Sequence, residues 1–260
     1  MNILDSYVLS APSKQNVLDL FEGEWSSQLP KDFGLSTRPG VATLFEDGRV
    51  SWAEKVLGGF EGLKVLELGP LEAGHSFMLQ NGGAEKIVAI EGNSRAFLKC
   101  LCVKEVLGLS KVDFKLGDFT KYLEEDNEEF DLVFASGVLY HMVEPVRLLE
   151  LISTRTKKLY VWTHYYDDEI IAKTPHLAHK FDPSQEFEFN GIKLRGATQA
   201  YKDSLNWAGF AGGPKPISKW LTRDSIVAAL RSFGFVDFEF NFEDPHHQNG
   251  PAFAFCASKA

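Results

Sequence analysis

The chain has 260 residues, 44% hydrophobic and 24% charged, which is enough to fill one sizeable core without staples. A formal net charge of −9 argues against an extended phosphate-binding face and favours a small-molecule acceptor over long nucleic acid. Cys100, Cys102 and Cys256 form no paired framework and read as buried free thiols of a reducing compartment. The N-terminus carries no secretory signal, and no apolar run nears the roughly 18 residues that span a bilayer, so the expected location is cytoplasmic.

Residues 1–60 read as an N-terminal cap of loops and two helices, around 15–25 and 51–58. Residues 61–260 then form the main domain. Four short apolar runs follow one another: LKVLELG (63–69), KIVAIE (86–91), VDFKLGD (112–118) and FDLVFASG (130–137). Each is rich in Val, Ile, Leu or Phe and bounded by Gly, Asp or Asn, as buried strands are. The segments 94–109 and 145–153 between them have helical spacing, and Pro145 suits a first helical turn. A fifth strand is expected at 157–166.

Residues 166–216 break the rhythm with prolines, an Asn190-Gly191 hairpin signal and the run GFAGGPKP. A connection this long is often a functional lid. The pattern resumes with TRDSIVAALRSFGF, where Thr222 can cap a helix ended by Gly234. FVDFEFNF and PAFAFCAS, joined by EDPHHQNG, then read as a closing antiparallel hairpin. The expected fold is α/β, a Rossmann-like seven-stranded, mostly parallel sheet with an antiparallel last strand and helices on both faces.

In an open α/β sheet, ligands sit beyond the carboxyl ends of the strands. Here those ends carry Glu67-Leu68-Gly69 through Gly74-His75, Glu91-Gly92-Asn93, Gly117-Asp118-Phe119 and Ser136 through His141. Glycines after the first strand let a ligand approach the backbone, and an acid ending the second can accept ribose hydroxyls. The third acid can accept an adenine amino group while Phe119 covers the ring.

ELGPLEAGH, AIEGN, LGDF and FDLVFASGVLYHMVEP together resemble the class I S-adenosylmethionine-dependent methyltransferases across about residues 60–165. The resemblance implies S-adenosylmethionine as cofactor, with Glu67 and Gly69 near its methionine part and Glu91, Gly92 and Asn93 at the ribose. Asp118 and Phe119 would hold the adenine, and the segment from Ser136 to His141, Tyr140 included, would line the methyl-transfer cleft. The family's glycine loop carries Leu71 and Ala73 here at its second and third glycines, so Gly74 is the expected substitute one place along. The GVLYH run also resembles the tRNA wobble-uridine carboxymethyltransferases, whose carboxylated cofactor needs a cationic partner that these motifs do not supply.

Methyl transfer to oxygen or nitrogen also requires loss of a proton, and histidine is the natural base. His141 and His164 are the catalytic candidates. The acceptor candidates are Tyr140, Tyr166, Trp207, Lys215 and Trp220, together with His246, His247 and Asn249 of the final turn. His164, Asp167, Asp168, His246 and His247 match no known metal spacing, so no metal is expected. The alternatives are a tRNA modifier, a nicotinamide-dependent oxidoreductase and a non-catalytic scaffold. The oxidoreductase explains neither the third strand's acid nor the antiparallel ending.

Overall fold

The computed structural model describes residues 7–206 and 212–260. The N-terminal part comprises α1 (Lys14–Asp19), β1 (Trp25–Ser27), β2 (Pro39–Ala42) and α2 (Gly48–Leu57), with β1 and β2 paired in parallel. Ser13 and Asp47 cap the two helices by accepting from the backbone N–H of Asn16 and Arg49. The first helix is shorter than its periodicity suggests. Its continuation is drawn into β1, because the buried Glu72 carboxylate accepts the N–H groups of Ser26 and Ser27.

The central unit then alternates strand and helix: β3 (Lys64–Leu68), α3 (Gly74–Asn81), β4 (Lys86–Glu91), α4 (Ser94–Leu107) and β5 (Val112–Leu116). It continues with α5 (Phe119–Glu125), β6 (Leu132–Ser136), α6 (Pro145–Ser153) and β7 (Lys158–His164). After β7 come the short helices α7 (Asp168–Ala172) and α8 (Pro175–Ala178), then β8 (Gln185–Phe189), β9 (Ile192–Ala200) and β10 (Ile217–Leu221). The chain closes with α9 (Arg223–Ser232), β11 (Phe235–Asp244) and β12 (Ala252–Lys259).

The main sheet has seven strands in the order β11-β12-β7-β6-β3-β4-β5, with β12 antiparallel to both its neighbours. This is the expected Rossmann-like arrangement. Both faces are covered: along β3, Val65 enters one core while Leu66 and Leu68 enter the other, and β6 divides Phe134 from Val133 in the same way. Two-sided burial is why these strands are continuous apolar runs rather than alternating ones. Strand order reverses between β3 and β6, so the crevice lies above Gly69 and Val138.

The insertion is more regular than its sequence suggests. β8 and β9 form a hairpin whose turn residues Asn190 and Gly191 both have positive φ, 49° and 82°. β10, which periodicity did not reveal, adds to β9 as a third strand. This small sheet is anchored rather than free. Leu194 and Leu221 join the main core, and the Lys219 N–H donates to the Met142 carbonyl at 2.8 Å.

At the opposite edge of the main sheet, cations close helix C-termini. Lys158 donates to the carbonyl of Leu57 at the end of α2, Arg155 to Leu123 in α5, and Lys259 to Ser153 at the end of α6. Such contacts satisfy orphan carbonyls and complement the helix dipole. Among the described residues, no helix is long and apolar enough to cross a membrane.

The Glu72–Lys99 ion pair, 2.8 Å long, is buried between α4 and the N-terminal segment. Replacing Lys99 by Met leaves an uncompensated buried carboxylate and should cost about 3–5 kcal/mol. The Glu72→Gln, Lys99→Met double variant should recover part of that loss. Urea unfolding of the three proteins checks both statements.

Candidate active site

The loop after β3 shapes the cofactor side. Gly69 has φ 64°, and a Cβ there would sit 2.6 Å from Val138 Cγ1, so glycine is required for both conformation and space. Leu71 and Ala73 adopt φ 55° and 64°. Both are left-handed despite their side chains, at about 1–2 kcal/mol each. Gly74, the expected substitute for a family glycine, does not have positive φ. It opens α3 with ordinary helical φ, and its lack of a side chain admits the backbone of Leu44, 2.8 Å from where a Cβ would stand.

Glu67 is sealed beneath this loop, 1% exposed, and accepts the Ser76 hydroxyl. Burial, with a smaller contribution from Glu91, pushes its carboxyl up to about 7. Its role visible here is to fix α3 under the loop. Glu91 ends β4 and accepts the backbone N–H groups of Leu71 at 3.1 Å and Asn93 at 2.8 Å. Burial raises its pKa, against the pull of these hydrogen bonds. The Asn93 side chain is committed to capping α4 through the N–H groups of Arg95 and Ala96.

Between Glu91 and Asp118 the walls are bare backbone. A Cβ at Gly92 would meet only the Gly117 carbonyl at 3.6 Å, and one at Gly117 would meet nothing within 4 Å. Asp118 is exposed and caps α5 through Thr120, while Phe119 beside it is half-buried. A slot of peptide edges with a carboxylate at each end and an aromatic cover fits a ribose and adenine.

A cluster of aromatic rings and imidazoles gathers at the ends of β6 and β7. Tyr140 and His141 lie on the turn after β6, with ring centroids 4.1 Å apart. His164, at the end of β7, stands 4.6 Å from Tyr140, 5.1 Å from Trp162 and 5.0 Å from His247, and stacks on Trp220 at 5.1 Å. His164 Nδ1 faces the carbonyl oxygens of Gly250 at 2.8 Å and Pro251 at 3.3 Å. Its pKa is lowered to about 4 by burial and then by His247. Burial and then His164 lower His141 to about 3. Both imidazoles are neutral at physiological pH.

One cation enters this aromatic cluster. The Arg49 guanidinium lies 4.4 Å over the Trp162 ring and is held at 2.6 Å by Asp47, which also meets His75 Nε2 at 2.9 Å. Burial favours the neutral form of Asp47, but the hydrogen bonds from His75 and Arg49 outweigh it and hold the carboxyl far below its usual range.

The structure thus unites Tyr140, His141, His164, Trp220 and His247, with Ser136 at the end of β6. Other candidates fall elsewhere. Tyr166 packs behind the cluster on Phe181, and its N–H donates to Leu221. His246 borders a separate cavity of about 660 Å³ with Asp167, Asp168, Glu169 and Lys173. Lys215 and Asn249 are exposed, and Trp207 lies outside the described residues. Arg49, Asp47, Trp162 and Tyr201 escaped the sequence reading. His75 lay within the quoted loop, but nothing in its spacing marked it, and Arg49 reaches the cleft from a segment without a motif.

A family signature described as "Methyltransferase domain" matches residues 60–193. The chain belongs to this family of methyltransferase domains. It is 28% identical over 123 residues to the tRNA U34 carboxymethyltransferase of Campylobacter hominis, a match covering 46% of this chain and 42% of that protein. The Marinobacter nauticus enzyme of the same name is 33% identical over 99 residues, 38% of this chain and 30% of that one. The matches therefore span less than half of either relative. Among solved structures, the N-terminal domain of EvdMO1 with SAH bound shares 23% identity and a TM-score of 0.69 over 95% of each chain. Magnesium protoporphyrin IX methyltransferase from Synechocystis PCC 6803, with bound SAH, shares 14% identity and a TM-score of 0.52 over 81% of this chain and 80% of that one. These two likenesses are of fold.

Because the buried Glu67 carboxyl has its pKa raised to about 7, it binds its proton more tightly folded than unfolded. The stability it contributes is fully present below its unfolded value of 4.5 and is lost as pH rises through about 7. Glu67→Gln should accordingly gain stability relative to wild type between pH 5 and pH 8. Denaturant midpoints at the two pH values read this directly, and a constant difference would place the carboxyl's titration elsewhere.

Proposed function

We propose that this protein methylates a hydroxyl oxygen of a small, polyhydroxylated acceptor. The observation that carries this reading is the pinned imidazole of His164. A carbonyl oxygen can only accept, so Nδ1 carries the proton and Nε2 is left with its lone pair. Neutral, buried and surrounded by aromatic rings, His164 is a general base for a hydroxyl proton. S-adenosylmethionine, when bound, supplies the methyl group on a sulfonium. Glu91 and Asp118 would hold its ribose and adenine, and Phe119 would cover the base.

The remaining side chains position the acceptor and exclude water. Tyr140, Trp162 and Trp220 offer flat apolar faces that suit the carbon face of a sugar ring. The EvdMO1 N-terminal domain was crystallised in the presence of SAH and D-fucose, which agrees with that acceptor class. The insertion would supply the wall of the acceptor pocket through β10 and Tyr201.

A tRNA-modifying activity is the second reading, favoured by the two carboxymethyltransferase relatives. Against it, Arg155, Lys158 and Lys259 at the far edge are occupied by helix C-termini rather than free to meet phosphates. Side-by-side thermal stabilisation by S-adenosylhomocysteine and carboxy-S-adenosylmethionine separates the readings. A ligand at a hundred times its dissociation constant stabilises by about 2.7 kcal/mol, so the preferred compound is plain to see. Preference for the carboxylated compound overturns the hydroxyl-methylation reading.

Glu91→Ala and Asp118→Ala should each weaken S-adenosylhomocysteine binding by about 1–3 kcal/mol with the fold intact. Titration calorimetry measures this, and unchanged affinity in both removes the cofactor assignment. His164→Gln should lower turnover by about a hundredfold or more at unchanged cofactor affinity. With its pKa lowered to about 4, the base stays unprotonated well into the acid range. Wild-type turnover should then be within about twofold between pH 5.5 and 7.5. A drop centred near 6.5 would assign the base to an unburied histidine.

A further inference from the structure

The cation in the strand-end cluster has an unused edge. Arg49 and Trp52, three residues apart on α2, share one face of that helix. Trp52 meets Tyr160 at 6.5 Å and the Arg49 guanidinium lies over Trp162, so this face runs along the end of β7. Asp47 grips Arg49 through Nε at 3.0 Å and Nη2 at 2.6 Å. Nη1, on the other side of the fork, has no acceptor among the described residues, and the side chain is 20% exposed.

Two phenols beside it are in the same position. Tyr160 is fully buried, and its hydroxyl, with Ser136 beside it, makes no hydrogen bond of normal geometry. Arg49 and Asp47 are its nearby charges. The Tyr140 hydroxyl has no hydrogen-bond partner among the described residues, and it too lies within the field of Arg49. A Cβ on Gly137 would stand 3.7 Å from that hydroxyl and 3.8 Å from the Trp162 ring, so Tyr140 and Arg49 flank the same indole.

We propose that Arg49 and the Tyr140 and Tyr160 hydroxyls form a carboxylate subsite at the cleft, and that the acceptor is a polyhydroxylated acid. This rests on the reading of the cleft as the acceptor site.

All three groups offer hydrogens. A guanidinium only donates, and a phenol without a partner has a proton to give. Asp47, the acid at hand, has its oxygens taken by Arg49 and His75. A donor set with no vacant acceptor suits an anion, and the planar edge of a guanidinium matches a carboxylate. The charge favours a monoanion. Among the described residues Arg49 is the one cation in the cluster, and Asp47 already stands against it, so a phosphate dianion would meet no second positive group.

Calorimetry on the S-adenosylhomocysteine complex tests this, with D-glucuronate and D-glucose as probes. Glucuronate should bind about tenfold or more tightly than glucose. Arg49→Met should erase the difference, and Arg49→Lys should recover only part of it, because an ammonium lacks the fork. Tyr140→Phe and Tyr160→Phe keep the rings, and each should weaken glucuronate binding about tenfold with glucose unchanged. Unaltered S-adenosylhomocysteine affinity shows that each variant is folded. Equal affinity for the two sugars in the wild type, or a preference that survives these variants, overturns the proposal. It also falls if Arg49→Met weakens S-adenosylhomocysteine but not methylthioadenosine, which lacks the amino-acid part, or selectively weakens carboxy-S-adenosylmethionine. Either result gives the carboxylate to the cofactor. Turnover that survives His164→Gln with the glucuronate preference intact would instead remove the base assignment and leave the subsite standing.

Discussion

The buried carboxylate of Glu72 holds the cofactor loop, the N-terminal segment and α4 to one another. It accepts the N–H groups of Ser26 and Ser27 and pairs with Lys99, whose ammonium also donates to the Glu24 carbonyl. Glu72 points inward because Leu71 and Ala73 on either side are left-handed. The backbone strain at those two positions is offset by the interactions that the turned residue gains. The Asp47–His75 contact and the Leu44 backbone against Gly74 add further ties between the N-terminal segment and the loop. The same N-terminal segment continues to Asp47, which holds Arg49 over Trp162.

Charge is divided between the two edges of the sheet. Helix C-termini converge at the strand starts, and Arg155, Lys158 and Lys259 close them. At the strand ends the ionisable groups are mostly neutral or internally paired. Glu67 is buried deeply enough to titrate near neutrality, both cleft histidines are kept unprotonated, and Arg49 is matched by Asp47. Desolvation does most of this, since burial disfavours every charged form. The result is a strand-end cluster in which both imidazoles are held neutral.

How much was legible beforehand depended on how local the cause was. The strands 64–68, 86–91, 112–116 and 132–136 were readable because two-sided burial writes itself as apolar runs, and Asn190-Gly191 because a tight hairpin demands positive φ twice. β10 was not, because the strand character of ISKWL comes from pairing with β9. The left-handed φ of Leu71 and Ala73 was equally illegible, because neither residue type signals that conformation.

By itself, the sequence determined the class of sheet, its reversed last strand and the acids that end its strands, since these follow from periodicity and from the chemistry at strand termini. It also placed His141 and His164 at the right edge. Tertiary structure alone decided that Arg49 and Trp162 meet there, that His246 leaves while His247 stays, and that Tyr201 crosses 60 residues to reach His141. Those outcomes depend on how separate segments pack against one another, and no local spacing encodes a contact between side chains that only the closed core brings together.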